Sequence, residues 1–118
     1  MRHGPIVEIE VRDWQQSLLW YRDRLGLSVV MSDPPRGYVL LERAGLRLAI
    51  KHGTPTPGGI RIFWEVENLP QQIAMLEQHG VSPASPLKVS DEGYRRILLR
   101  DPDGYTIGLF DWLTPPTA

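Results

Sequence analysis

From Pro5 to Arg12 the chain alternates, with Val7, Ile9 and Val11 set against Ile6, Glu8 and Glu10, the period-two pattern of a strand that rests one face on a core. Helical spacing follows at once. Asp13 is placed to N-cap and Gln16 to complete a capping box, while Trp14, Leu18, Tyr21 and Leu25 recur on one face until Gly26 stops the run. The second half repeats this order: Arg61 to Glu67 alternates, Asn68 caps with Gln71 behind it, and Leu69, Ile73 and Leu76 face one way before Gly80. Trp14, Leu18 and Tyr21 precede Leu69, Ile73 and Leu76 by 55 residues, so cap, stripe and stop glycine coincide and the chain reads as a duplication.

Three more strand-like segments follow each helix. They are predicted at Leu27 to Asp33, Gly37 to Arg43 and Leu46 to Lys51, and again at Val81 to Val89, Tyr94 to Arg100 and Tyr105 to Asp111. Asp101-Pro102-Asp103-Gly104 sets a tight hairpin turn between the last two. The expected fold class is therefore α+β, two βαβββ modules at about 5–51 and 60–111, with a Pro/Gly-rich linker at 52–59 and a tail at 112–118 that ends in an unstructured Thr114-Pro115-Pro116-Thr117-Ala118. So short a linker does not separate independent domains, and one domain over 1–118 with a shared core is expected.

Composition narrows the partners more than the fold. A chain of 118 residues, 42% hydrophobic and 23% charged, suits one globular domain. A net charge of -1 and a pI near 6.3 provide no basic face, so neither nucleic acid nor anionic membrane is expected as a partner. The absence of cysteine removes disulfides, thiolate metal sites and cysteine nucleophiles. With no secretory or membrane-spanning apolar run, a cytoplasmic location is the default expectation.

Several short strings together carry a resemblance over nearly the whole chain. Glu10-Val11-Arg12-Asp13, Trp20-Tyr21-Arg22-Asp23-Arg24-Leu25-Gly26-Leu27, Gly93-Tyr94-Arg95 and Asp101-Pro102-Asp103-Gly104-Tyr105, with Ile107 and Leu109 after them, resemble the vicinal oxygen chelate superfamily. That group holds glyoxalase I, bleomycin-resistance proteins, extradiol dioxygenases and fosfomycin-resistance enzymes. The resemblance implies a curved mixed sheet around a concave cavity, often completed by dimerisation, and a homodimer is expected here. It does not imply a single reaction, because the fold hosts several.

The resemblance also implies where a divalent metal would be held. The first ligand position, five residues before the valine of Val11-Arg12-Asp13, falls on Ile6, and its counterpart before Val66 falls on Arg61. The other two lie four residues after Gly45 and Gly104, at Ala49 and Gly108. Isoleucine, alanine and glycine side chains have no donor atom, and a guanidinium stays protonated and repels a cation. The three histidines do not replace them: His3 precedes the first strand, His52 sits at odd spacing from Ala49, and His79 ends the second helix, where a cation suits the macrodipole. Glu8 and Glu65 point the right way, but two carboxylates without imidazole make a weak site. No metal and no other cofactor is expected.

Strand parity then describes the cavity. It receives Ile6, Glu8 and Glu10 from the first strand, Arg47, Ala49 and Lys51 from the fourth, Arg61, Phe63 and Glu65 from the fifth, and Thr106, Gly108 and Phe110 from the eighth. Two readings follow. In one, Arg61 pairs with Glu8 or Glu65 and fills the old metal position, since charges in a pocket must be paired or wet. In the other, Arg61, with Arg47 and Lys51 nearby, holds the anionic group of a small ligand, anionic or zwitterionic, against Phe63, Phe110 and Ile6, and Glu8 or Glu65 takes an amine or acts as a base.

Among the other aromatics, Trp14, Tyr21 and Trp64 sit at core-facing positions, Trp20 and Leu19 form a second apolar face on the first helix, and Trp112 is placed to close over a cavity or a dimer seam. The first reading of function is a metal-free small-molecule-binding protein of the glyoxalase/bleomycin-resistance/dioxygenase superfamily, sequestering a drug or toxin. The alternative is a metal-dependent lyase, isomerase or dioxygenase of the same superfamily, and whether any catalysis occurs is left open. A purely structural or interaction module stands third.

Overall fold

A computed structural model describes residues 5–114, so His3 and the end of the predicted tail lie outside the described residues. Two compact units divide at Gly58/Gly59, and each is an α+β module of one helix and one four-stranded mixed sheet. In the first unit the elements are β1 (Ile6–Val11), α1 (Trp14–Leu25), β2 (Ser28–Asp33), β3 (Tyr38–Arg43) and β4 (Leu46–His52). The sheet order is β1-β4-β3-β2, parallel between β1 and β4 and antiparallel elsewhere. The second unit holds β5 (Arg61–Glu65), α2 (Leu69–Gln78), β6 (Lys88–Val89), β7 (Tyr94–Arg100) and β8 (Thr106–Trp112), ordered β5-β8-β7-β6 with the same senses.

The registers of the two units match as closely as their order. Ile6 lies opposite Arg47 and Glu8 opposite Ala49, while Arg61 lies opposite Thr106 and Phe63 opposite Gly108. A shift of 55 residues maps β1 onto β5 and one of 59 maps β4 onto β8, so the duplication read from the helices extends to the strands.

The helix ends follow from their caps. Asp13 accepts from the Gln15 and Gln16 amides at 3.2 Å each, and Gly26, at φ 73°, closes α1 in the left-handed region. Arg43 donates to the Leu25 carbonyl at 2.7 Å, which satisfies one orphan acceptor of that last turn. At α2, Asn68 accepts from the Gln71 amide at 3.1 Å. The helix ends with His79 as its C-cap and Gly80, at φ 79°, directly after it, the Val81 amide reaching back to the Leu76 carbonyl at 2.9 Å.

Buried residues alternate along the strands as the parity predicts. Ile9, Val11, Leu48 and Ile50 face α1, and Ile62, Trp64, Ile97, Leu99, Ile107 and Leu109 face α2. Tyr21 and Trp64 are core residues as expected; Trp14 is only half-buried, and Ser17 takes a buried place on the stripe of α1.

One predicted strand is largely absent. Of Val81 to Val89 only Lys88 and Val89 join the sheet, opposite Arg96 and Arg95. Pro83 and Pro86 have no amide hydrogen to donate, so the segment touches the edge of β7 at two points instead: the Ala84 amide on the Leu98 carbonyl at 2.7 Å and Ser85 Oγ on the Leu98 amide at 3.1 Å.

Candidate functional site

The sheet face turned away from the helix carries the predicted site residues in each unit. In the first unit Ile6, Glu8 and Glu10 on β1 stand beside Arg47, Ala49 and Lys51 on β4, and Tyr38, Leu40 and Glu42 on β3 complete the face. Ala49 is buried within it, whereas Ile6 and Glu8 are exposed. Glu10 does not join them. Its carboxylate turns onto the connecting segment and accepts from the Thr54 amide at 3.0 Å. His52 continues β4 opposite Val11, on the helix side, where odd spacing from Ala49 puts it.

In the second unit the face is built by Arg61, Phe63 and Glu65 on β5, Thr106, Gly108, Phe110 and Trp112 on β8, and Tyr94, Arg96, Leu98 and Arg100 on β7. Gly108 is the position on which this geometry turns. A Cβ there would meet the Phe63 ring at 2.2 Å, so the ring takes the space that the missing side chain leaves on β8. Arg61 then places its guanidinium 5.5 Å from the Phe63 centroid, and Arg96 reaches the same ring from β7 at 5.9 Å.

The ion-pair reading of Arg61 fails within its own unit. Among the described residues neither Arg61 nor Arg96 forms a salt bridge: Glu65 lies four residues along the same extended strand from Arg61, and on the other side of Phe110 from Arg96. Arg100 is held differently, donating to Thr106 Oγ1 at 2.5 Å. With Lys88 opposite Arg96, the strands of this face carry four cations against Glu65, and Asp91 and Glu92 lie on the turn beside Lys88 and Arg96. Parity on β5 and β8 alone gives this face one cation, Arg61, and one acid, Glu65, because β6 and β7 were not counted.

Beside Phe63 three further rings form a slot. Tyr94, Phe110 and Trp112 meet pairwise edge-to-face, at centroid distances of 5.8, 5.5 and 5.9 Å, and with Phe63 they line an open slot of about 250 Å³. Tyr94 and Arg96 were missed in the sequence, although the alternation Tyr94, Arg96, Leu98, Arg100 on β7 already puts them on the face of Gly108. Trp112 was expected near a cavity, and its ring stands in this one.

On the opposite face of the same sheet Asp111 is buried. It accepts from Arg95 Nε at 2.7 Å and Nη2 at 2.9 Å, and from the Leu69 amide at the start of α2 at 2.8 Å. The Arg95 hydrogen bonds hold its carboxyl below the usual carboxylate range; burial opposes them and the Leu69 amide assists.

The four positions that the resemblance assigns to a metal do not fit one. Ile6 and Ala49 have no donor atom, the Gly108 position is covered by Phe63, and Arg61 brings a positive charge. Among the described residues no three His, Asp or Glu side chains gather as a ligand set.

Two βαβββ modules of this topology define a class of fold. Residues 5–109 match the family model described as Glyoxalase/Bleomycin resistance protein/Dioxygenase superfamily. The chain belongs to that superfamily. Solved structures share the fold at low identity. A lactoylglutathione lyase from Agrobacterium tumefaciens is 13% identical with a TM-score of 0.77, covering 94% of this chain and 95% of its own. TioX from Micromonospora sp. ML1 is 18% identical with a TM-score of 0.73, over 97% and 99%. A glyoxalase/bleomycin resistance protein from Catenulispora acidiphila is 24% identical with a TM-score of 0.72, over 92% and 96%. No curated protein matches the chain. Among the described residues no helix is long and apolar enough to cross a membrane.

Proposed function

We propose that this chain is a metal-free small-molecule-binding member of its superfamily, which takes an anionic or zwitterionic ligand through Arg61 and sequesters it without transforming it. The observation that carries this reading is the Arg61 guanidinium, standing over Phe63 where the ring covers Gly108 and lacking a carboxylate partner within its unit. A cation held on an aromatic surface without a counter-charge is an anion site, and an Arg fork suits a carboxylate or phosphate. Phe63 and Phe110 supply apolar contact beside it. In the first unit Ile6, Glu8 and Arg47 share one sheet face. We place the protein in the cytoplasm as a homodimer, with both units serving one domain.

The metal-dependent lyase, isomerase or dioxygenase reading needs donors that these four positions lack. A thermal-shift screen of small anions, thiol adducts and aromatic compounds tests the proposal, run in parallel on Arg61→Ala. A true ligand present at a hundredfold excess over its Kd stabilises by about 2.7 kcal/mol, and Arg61→Ala abolishes that gain. One equivalent of Zn, Ni, Mn or Fe retained through purification without added metal would overturn it, as would ligand hits that all ignore the substitution.

A further inference from the structure

The second unit's slot restricts the ligand more closely than a lone arginine does. Two guanidiniums, from strands on either side of β8, approach the same Phe63 ring at 5.5 and 5.9 Å, and neither has a carboxylate partner among the described residues. Like charges drawn to one ring repel, and an anion that bridges them removes that repulsion while gaining charge-assisted hydrogen bonds from both. The walls next to that ring are the aromatic side chains of Tyr94, Phe110 and Trp112. At about 250 Å³ the open slot is smaller than drug-sized ligand sites and matches one or two fused rings.

We infer that this slot binds a compact planar aromatic carboxylate, its ring system against Phe63, Phe110 and Trp112 and its carboxylate between Arg61 and Arg96. The inference rests on the small-molecule-binding reading above and adds the ligand class and the second cation. Selectivity comes from both ends of the guest: an aliphatic acid forfeits the ring contacts, and a neutral arene forfeits the cations. A neighbouring pocket that Tyr94 and Arg96 also line carries Asp91 and Glu92, of which Glu92 accepts from Ser90 Oγ at 2.9 Å. These acids disfavour a guest with a second negative group at that end, so a monoacid is preferred.

The test uses 2-naphthoate as probe, with cyclohexanecarboxylate and 2-naphthalenemethanol as controls, titrated into the full chain and followed by calorimetry and tryptophan fluorescence. Naphthoate binds at least about tenfold more tightly than either control, since each control loses one of the two contact types. It quenches fluorescence in the native chain and not in Trp112→Phe. Arg96→Gln and Arg61→Gln each weaken it about tenfold, with far-UV dichroism unchanged. Equal affinity for cyclohexanecarboxylate overturns the aromatic assignment, and unchanged affinity in Arg96→Gln overturns the two-cation clamp; in either case an Arg61-dependent anion would leave the broader reading intact. If no anion binds in an Arg61-dependent way, both fall.

Discussion

Asp111→Asn tests the account of what holds the second unit's sheet to its helix. The native carboxylate is 3% exposed and accepts three hydrogen bonds, two from Arg95 and one from the Leu69 amide, the first of the orphan donors of α2. Asparagine keeps an oxygen for Leu69 but turns an NH₂ group toward the guanidinium, so the ion pair and at least one charge-assisted bond are lost. Breaking a fully buried pair costs about 3–5 kcal/mol. The Arg95 side chain is 27% exposed and rehydrates in part, which lowers the expectation to about 2–3 kcal/mol. For a chain of this size that is a drop in Tm of about 8–12 °C.

The pH dependence has a definite sign. The folded Asp111 carboxyl lies below its ordinary value, so its stabilisation is present above the unfolded pKa and is lost as pH falls through the folded one. Melting curves by circular dichroism from pH 7 to pH 2 for both proteins should therefore show a gap that is full at neutral pH and closes in acid, below about pH 4. A variant within 2 °C of the native chain at pH 7, or a gap constant across the range, would refute the clamp.

Two further outcomes follow from backbone positions. Gly108→Ala brings a Cβ to 2.2 Å from the Phe63 ring; the ring is one-third exposed and swings aside, so stability falls by only about 1 kcal/mol while affinity for any Arg61-dependent ligand drops several-fold, and unchanged affinity by calorimetry would show that the ring's seat on β8 is irrelevant. Gly26→Ala meets nothing within 4 Å but must hold φ 73°, so about 1 kcal/mol is lost to backbone strain alone, read as a Tm some 4 °C lower.

The fold was largely legible because its signals are local and repeated. Asp13 and Asn68 cap, Gly26 turns left-handed, and strand alternation decides which residues face the helix. The segment before β6 was misread because Val81 to Val89 has strand-like composition, while Pro83 and Pro86 withdraw the donors that a ladder needs. The site was legible by parity on the strands considered. Arg61 and Phe63 fall where they were expected, but Arg96 and Tyr94 sit on a strand left out of the count. That Phe63 would lie across Gly108 is a contact between neighbouring strands, and alternation along a single strand carries no information about it.

The seating of Phe63 on Gly108 binds the histories of two positions 45 residues apart. Since a side chain at 108 and an aromatic ring at 63 claim the same volume, neither site changes freely while the other stays as it is. A side chain at 108 takes the space where the Phe63 ring now sits, and moving the ring aside gives up the surface on which Arg61 and Arg96 rest. A side chain on β8 at 108 and a ring seated against that strand are thus alternative uses of one space.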